Sequence, residues 1–347
     1  MSPPPLENPA SEEVDDKQTK PEPEGPNFTK IHGQVNPILH GARYVNGQII
    51  EFRNVSSGTA QQVVSWYKHK LFDFQLYRLR LNCNYKHRIV QFKFSHPAGE
   101  ALTEALRSKF TMWIWNSFRD IGGISRSISK DFQMLSYCPS PILSPVIPRT
   151  LLLTPALSIR PNQKNHDTEF PPLVIDYAFS PTNSPSELLR HWHDLYRSRD
   201  LWFSHSKAKT QVIILALFSP AATEKDTEEQ GGEEEGEGEQ AQVPRQNTLS
   251  INNSRNIRIQ GRMDVWRYDK NWKTGRLTDE VILFPRPWDH QKQEEKITFK
   301  IQEIFGESFD FRFDESDIPE DMEFVLDVKG LRKHMQENRN IMNLWAF

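Results

Sequence analysis

Asp176 is the residue most in need of a chemical reason. It stands inside Leu173–Phe179, an otherwise apolar run. A carboxylate there is costly unless something holds it. Either it is a site residue, or it lies at a strand end, solvated or capping a turn. Glu100 follows the helix-opening Pro97, a place where an exposed first-turn acid is favoured by the helix dipole. Other constellations are weaker. His191 and His193, two apart on a helical pattern, point to different faces and make a poor metal pair; His40, His69 and His96 stand alone. Ser180 lacks the flanking glycines of a nucleophile elbow, and no phosphate-binding glycine loop or dinucleotide fingerprint occurs. Cys83 and Cys138 are far apart and in no metal spacing, so they read as free thiols of a reducing compartment. Trp272 and Trp288 lie among Lys270, Lys273, Arg276 and Arg286, a composition that suits a nucleic-acid surface; the other tryptophans fall mostly on apolar faces and read as core.

The elements that must position these residues follow from periodicity. Structure is expected to begin near Phe28, as short apolar pieces punctuated by Gly33, Gly41 and the turn signal Asn46-Gly47. Thr59–Phe74 reads as a helix and Leu76–Tyr85 as a mixed segment or strand. His87–Ser95 alternates Ile89, Val90, Phe92 and Phe94 with Arg88, Gln91 and Lys93, a strand. Pro97 opens the strongest helix, with Leu102, Leu106, Phe110 and Trp113 on one face, ending before Gly122-Gly123. After the prolines of 139–148, Thr150–Ile159 and Leu173–Phe179 read as adjacent strands. Ser184 or Ser186 caps a helix running to about Phe203. Gln211–Phe218 is apolar on both faces, which marks a central strand covered on each side. Ile257–Tyr268, Val281–Phe284, the alternating Ile297–Phe305 and Phe324–Val328 read as further strands, and a short helix from Leu331 closes the chain.

The 347 residues are ample for a hydrophobic core. A mean hydropathy of −0.66 says that part of the chain does not pack. Residues 1–27 carry a charge of −5 and residues 224–240 carry −8, so the formal −3 of the whole leaves +10 on the rest. Both acidic stretches lack the apolar content to offset ordering entropy. We expect a disordered tail over 1–27 and a disordered insert over 220–253, within one α/β domain spanning 28–347. A basic remainder with acidic appendages suits descent from a polyanion binder, and equally a modest surplus that keeps the protein soluble. No basic and apolar leader follows Met1 and no run of about 18 apolar residues occurs, so an intracellular protein, cytoplasmic or nuclear, with no membrane partner is expected.

The strand, helix, strand, strand, helix, strand order from His87 to Phe218 carries a resemblance, together with three pieces of text. They are Pro171-Pro172-Leu173-Val174-Ile175-Asp176-Tyr177-Ala178-Phe179-Ser180, Asp200-Leu201-Trp202, and Thr210-Gln211-Val212-Ile213-Ile214-Leu215. Met263–Arg267 and Leu283-Phe284-Pro285 add to it. Over roughly 85–345 the chain resembles uncharacterised filamentous-fungal proteins of the PD-(D/E)xK nuclease-like superfamily. The resemblance implies a restriction-endonuclease-like core, a mixed central sheet flanked by helices, here with extra C-terminal strands. It also implies a chemistry: one acid on the first strand of a hairpin and a second on the next hold Mg²⁺ beside the scissile phosphate, and a lysine two residues later helps activate water. The second acid falls on Asp176. The first falls on Ala156, which offers no ligand, and the lysine on Ala178. Glu100 matches the helix position at which many members add a carboxylate, and Lys207 or Lys209 are substitutes for the missing cation.

Three functions compete. The first is a non-catalytic nuclease-derived binding module for nucleic acid or protein, needing no cofactor. Its nucleic-acid contacts are then expected from Lys207, Lys209, Lys270, Trp272, Lys273 and Arg276. The second is an active Mg²⁺-dependent nuclease with a rearranged site. The third is a protein-interaction role carried by the acidic insert.

Overall fold

The computed structural model describes residues 25–39, 49–70, 79–119, 135–137, 142–143, 151–161, 170–221, 259–284, 295–306, 312–313, 316–317 and 321–342. The Asn46-Gly47 turn, Gly122-Gly123, the prolines of 139–148, Cys138, Arg286, Trp288, the tail up to residue 24 and residues 222–258 of the acidic stretch lie outside them.

The first described element is a helix, α1 (Phe28–Leu39), not the short pieces expected. Ile31 and Val35, one turn apart, are both fully buried. They form one cluster with Ala60, Val63, Val64 and Tyr67 of α2 (Ser57–His69). A shared apolar seam thus decides the helix in spite of Gly33 and Pro37. The same cluster lies under a sheet begun by β1 (Ile49–Phe52), β2 (Leu79–Asn84) and β3 (Ile89–Phe94), all antiparallel. Leu79, Leu81, Cys83, Val90 and Phe92 supply its apolar face.

After α3 (Pro97–Arg119) come β4 (Leu135–Tyr137), β5 (Ile142–Leu143), β6 (Leu151–Leu153) and β7 (Leu157–Pro161). Thr150–Ile159 is therefore two strands rather than one, and they part company: β6 pairs with β2 and β5, β7 with β8 (Leu173–Phe179) and β4. The break has a local cause. Pro155 has no N–H to give a ladder. Thr154 gives its N–H to the Asn82 side chain at 2.9 Å and its hydroxyl to the Leu81 carbonyl at 2.7 Å.

Next come α4 (Pro185–Ser206), β9 (Val212–Pro220), β10 (Ile259–Asp269) and β11 (Thr274–Phe284). The strand expected at Val281–Phe284 extends back to Thr274 because β10 pairs along its length, from Asp269↔Thr274 to Gly261↔Phe284. The segment expected as one strand over Ile297–Phe305 is β12 (Lys296–Lys300) followed by a single-turn helix, α5 (Ile301–Phe305). The Glu303 carboxylate takes the Lys300 N–H at 2.9 Å, an N-terminal cap. Ile301, Ile304 and Phe305 are then buried together. A two-residue pair, β13 (Arg312–Phe313) and β14 (Ser316–Asp317), precedes β15 (Glu323–Asp327), which pairs with β12, and α6 (Val328–Met342).

The architecture is mixed α/β: a mixed six-stranded sheet flanked by helices, and a smaller five-stranded sheet beside it. The strand orders are β11-β10-β9-β8-β7-β4 and β1-β3-β2-β6-β5. Only the β8–β9 pair in the larger sheet is parallel; its other neighbours are antiparallel. β3, the opening strand of the order that carried the resemblance, belongs to the smaller sheet. β9 is central, as its unbroken apolar run demands, and Val212–Ser219 are all buried. On one face Ile175, Tyr177 and Ile214 pack against Leu102, Leu106 and Phe110 of α3. On the other, Val174, Ala178, Ile213 and Leu215 pack against Leu195, Trp202 and Phe203 of α4. No helix among the described residues is long and apolar enough to cross a membrane.

Candidate functional site

Asp176 alternates with Val174 and Ala178, so it faces α4 from the middle of the sheet, and it is buried. Two cations hold it. Arg80 Nη1 lies 2.5 Å from Oδ1 and Lys93 Nζ lies 2.9 Å from Oδ2, with all three side chains almost fully enclosed. The Tyr177 N–H also donates to Oδ1 at 3.0 Å, and the Ser198 hydroxyl of α4 lies 3.4 Å from Oδ2. Burial alone would raise the Asp176 carboxyl. Lys93 and Arg80 outweigh it and hold the group below the usual carboxylate range. Arg80 is raised in turn: burial opposes its charge, and Asp176, with Glu100 contributing, overcomes that.

Glu100 lies on the other side of the sheet. Its Oε1 accepts the Tyr177 hydroxyl at 2.7 Å. Tyr177 packs with the α3 core, and burial, reinforced by Glu100, raises its phenol well above normal. Gly99 makes this possible, since a Cβ there would overlap the Tyr177 ring. Arg80 ties the two halves together. Its guanidinium lies 4.8 Å from the Tyr177 ring centroid while bonded to Asp176. Two acids and two bases thus form a set of zero formal charge centred on Asp176 and Tyr177.

The hairpin placement locates the rest. Ala156 donates its N–H to the Ile175 carbonyl at 3.0 Å, beside the Leu157↔Ile175 pair. Ala156 is thus next to Asp176 in the ladder, yet it packs against the core on the α3 side, the side of Glu100. Ala178 is buried under α4 and contributes packing only. No group of three His, Cys, Asp or Glu side chains able to hold a metal occurs among the described residues. The donor set around Asp176 does not fit Mg²⁺: both oxygens are occupied by positive groups, and a divalent cation would have to displace them.

A second buried carboxylate, inside the Met263–Arg267 text, has no role assigned to it by the sequence reading. Asp264 on β10 pairs with Leu215, and Leu215 pairs with Asp176, so the two acids lie in one row under α4. Asp264 accepts from Arg262 at 2.8 Å and from the Tyr196 hydroxyl at 3.1 Å. Burial, then Asp264, pushes the Tyr196 phenol up to about 12.

Sequence reasoning missed Arg80 and Lys93. Their alternation with Leu79, Leu81, Phe92 and Phe94 is that of a half-exposed strand whose polar face meets water. Here that face, with Asn82 and Gln91, is turned toward β8 and α4. The one available signal was Asp176 itself, since a buried carboxylate needs a partner.

Lys207, Lys209, Lys270, Trp272, Lys273 and Arg276 gather elsewhere, at the end of the sheet where β9 begins. The Tyr268 N–H donates to the Gln211 carbonyl at 2.9 Å, which joins the α4–β9 connection to the end of β10. From Leu215, the neighbour of Asp176, to Gln211 is about 13 Å along the strand at about 3.3 Å per residue. The free cysteine Cys83 is buried beneath the small sheet, its thiol pushed up to about 12 by burial. His191 is buried and separated from the exposed His193 by the helix turn, as two-residue spacing requires.

No protein-family model matches the chain, and no curated protein does.

Proposed function

We propose that the chain is a non-catalytic binding module derived from a PD-(D/E)xK nuclease-like core, its partner a nucleic acid or a protein. The observation that carries this reading is the pairing of both Asp176 oxygens with Lys93 and Arg80 at 2.9 and 2.5 Å. In a working site of that class the carboxylate faces a metal, which supplies the stabilisation of the transition state. Here protein cations neutralise it, Ala156 offers no second ligand, and Glu100 bonds Tyr177 across the sheet. Lys93 does bring an ammonium to the carboxylate, the role that Ala178 cannot fill. That favours descent from a nuclease and is the one feature an active, rearranged enzyme would retain.

Isothermal titration with Mn²⁺ and a cleavage assay on single- and double-stranded DNA test the proposal. No saturable Mn²⁺ binding and no cleavage are expected. Mn²⁺-dependent cleavage abolished by Asp176→Ala would establish the active alternative instead.

A further inference from the structure

The turn joining β10 to β11 holds the most exposed large apolar side chain among the described residues, Trp272, at 79% of its full accessibility. The turn is rigidly made. The Asp269 carboxylate accepts the N–H of Asn271 at 2.8 Å and of Trp272 at 3.2 Å, and Lys273 takes a φ of 53°. A left-handed lysine and a side chain clamped to two amides define a fixed backbone. Nothing in that turn chemistry calls for an indole, and an unburied indole forgoes the stabilisation its size allows.

Its surroundings are cationic. Lys270, Lys273 and Arg276 are exposed on the same turn and its outgoing strand. The end of α4 comes to the same corner. Phe203 lies 5.8 Å from Tyr268, ring to ring, and rests over Gly275, where a Cβ would overlap its ring. This brings Lys207 and Lys209, also exposed, beside the turn, Lys207 in a left-handed α4 C-cap.

We infer that this corner binds single-stranded nucleic acid, Trp272 stacking on an unpaired base and the five cations following the phosphates. An indole projecting from a tight turn offers a face on which an unpaired base can stack, while the cations act on the backbone whatever the sequence. The inference rests on the binding-module reading and names its partner. It also places that partner's site away from Asp176, at the far end of the sheet.

The test is fluorescence anisotropy of the full-length protein with a labelled oligothymidine of about 16 nucleotides at about 50 mM salt. Trp272→Ala is expected to weaken binding about tenfold, with Trp272→Phe close to wild type. Lys270→Ala with Lys273→Ala is expected to reduce the slope of log K against log salt by about 1.4, two phosphate contacts on a single strand. Unchanged thermal midpoints are expected for all these variants. Absence of single-strand binding, a preference for duplex, or affinity unmoved in every variant would each overturn the inference. Only metal-dependent cleavage requiring Asp176 would overturn the binding-module reading, so the two failures are distinct.

Discussion

Asp176 shows how a single buried charge is stabilised. Its carboxylate is depressed below the usual range, so its contribution to stability is complete above about pH 4 and is lost only as the pH falls below that. Removing it is a different matter. Asp176→Ala leaves Arg80 and Lys93 buried without their counter-ion and is expected to cost about 3–5 kcal/mol in denaturant unfolding. Asp176→Leu combined with Arg80→Met and Lys93→Met removes all three charges and is expected to restore near wild-type stability. A cost below about 1 kcal/mol for Asp176→Ala would show that the set is not the central polar contact described.

At the scale of the element, α3 depends on how its first turn is closed. The Glu100 N–H donates to the His96 carbonyl, and the Ala98 N–H donates to His96 Nδ1 at 3.2 Å. The imidazole caps the helix and so must keep Nδ1 unprotonated. It also stacks on Phe179, with ring centroids 3.5 Å apart. Burial pushes His96 down to about 3. The unfolded chain takes up a proton below about pH 6.5 that the folded protein refuses, so stability is complete above that pH and falls on acidification until about pH 3. Between pH 7 and pH 5 the loss from this residue is expected to be about 2 kcal/mol. Urea titrations at both pH values check it. His96→Asn retains a capping acceptor and is expected to flatten the difference; an unchanged slope in the variant would refute the assignment.

For the whole molecule, the acidic stretch enters and leaves at one place. Pro220 ends β9, Ile259 opens β10, and the two are cross-strand partners. The hairpin that flanks the stretch is paired from its first residue, so the intervening chain has only to close a loop, at about 0.6 kcal/mol per doubling of length. Replacing residues 224–248 with a short Gly/Ser linker is expected to leave the melting temperature within about 3 °C. A larger fall would mean that the insert packs on the body of the protein.

What the sequence determined by itself is local and periodic. The apolar run of β9 required burial on both faces, the heptad-like face of α3 required a core, and the segment Leu173–Phe179 required a strand with one carboxylate in it. Lys270, Trp272, Lys273 and Arg276 were legible as neighbours because one turn and its outgoing strand hold them; that Lys207 and Lys209, expected among the same contacts, lie at that corner was decided by the α4–β9 connection. The remainder was decided by tertiary structure. Pro155 split one apolar run between two sheets, and β10 drew the polar residues of β11 into a ladder. The identity of the partners of Asp176 was beyond any local signal. Arg80 and Lys93 lie 96 and 83 residues away, on strands whose alternation reads as solvent-facing. Periodicity shows that one face of a strand is polar, and only the packing of one sheet against another shows whether that face meets water or a buried carboxylate.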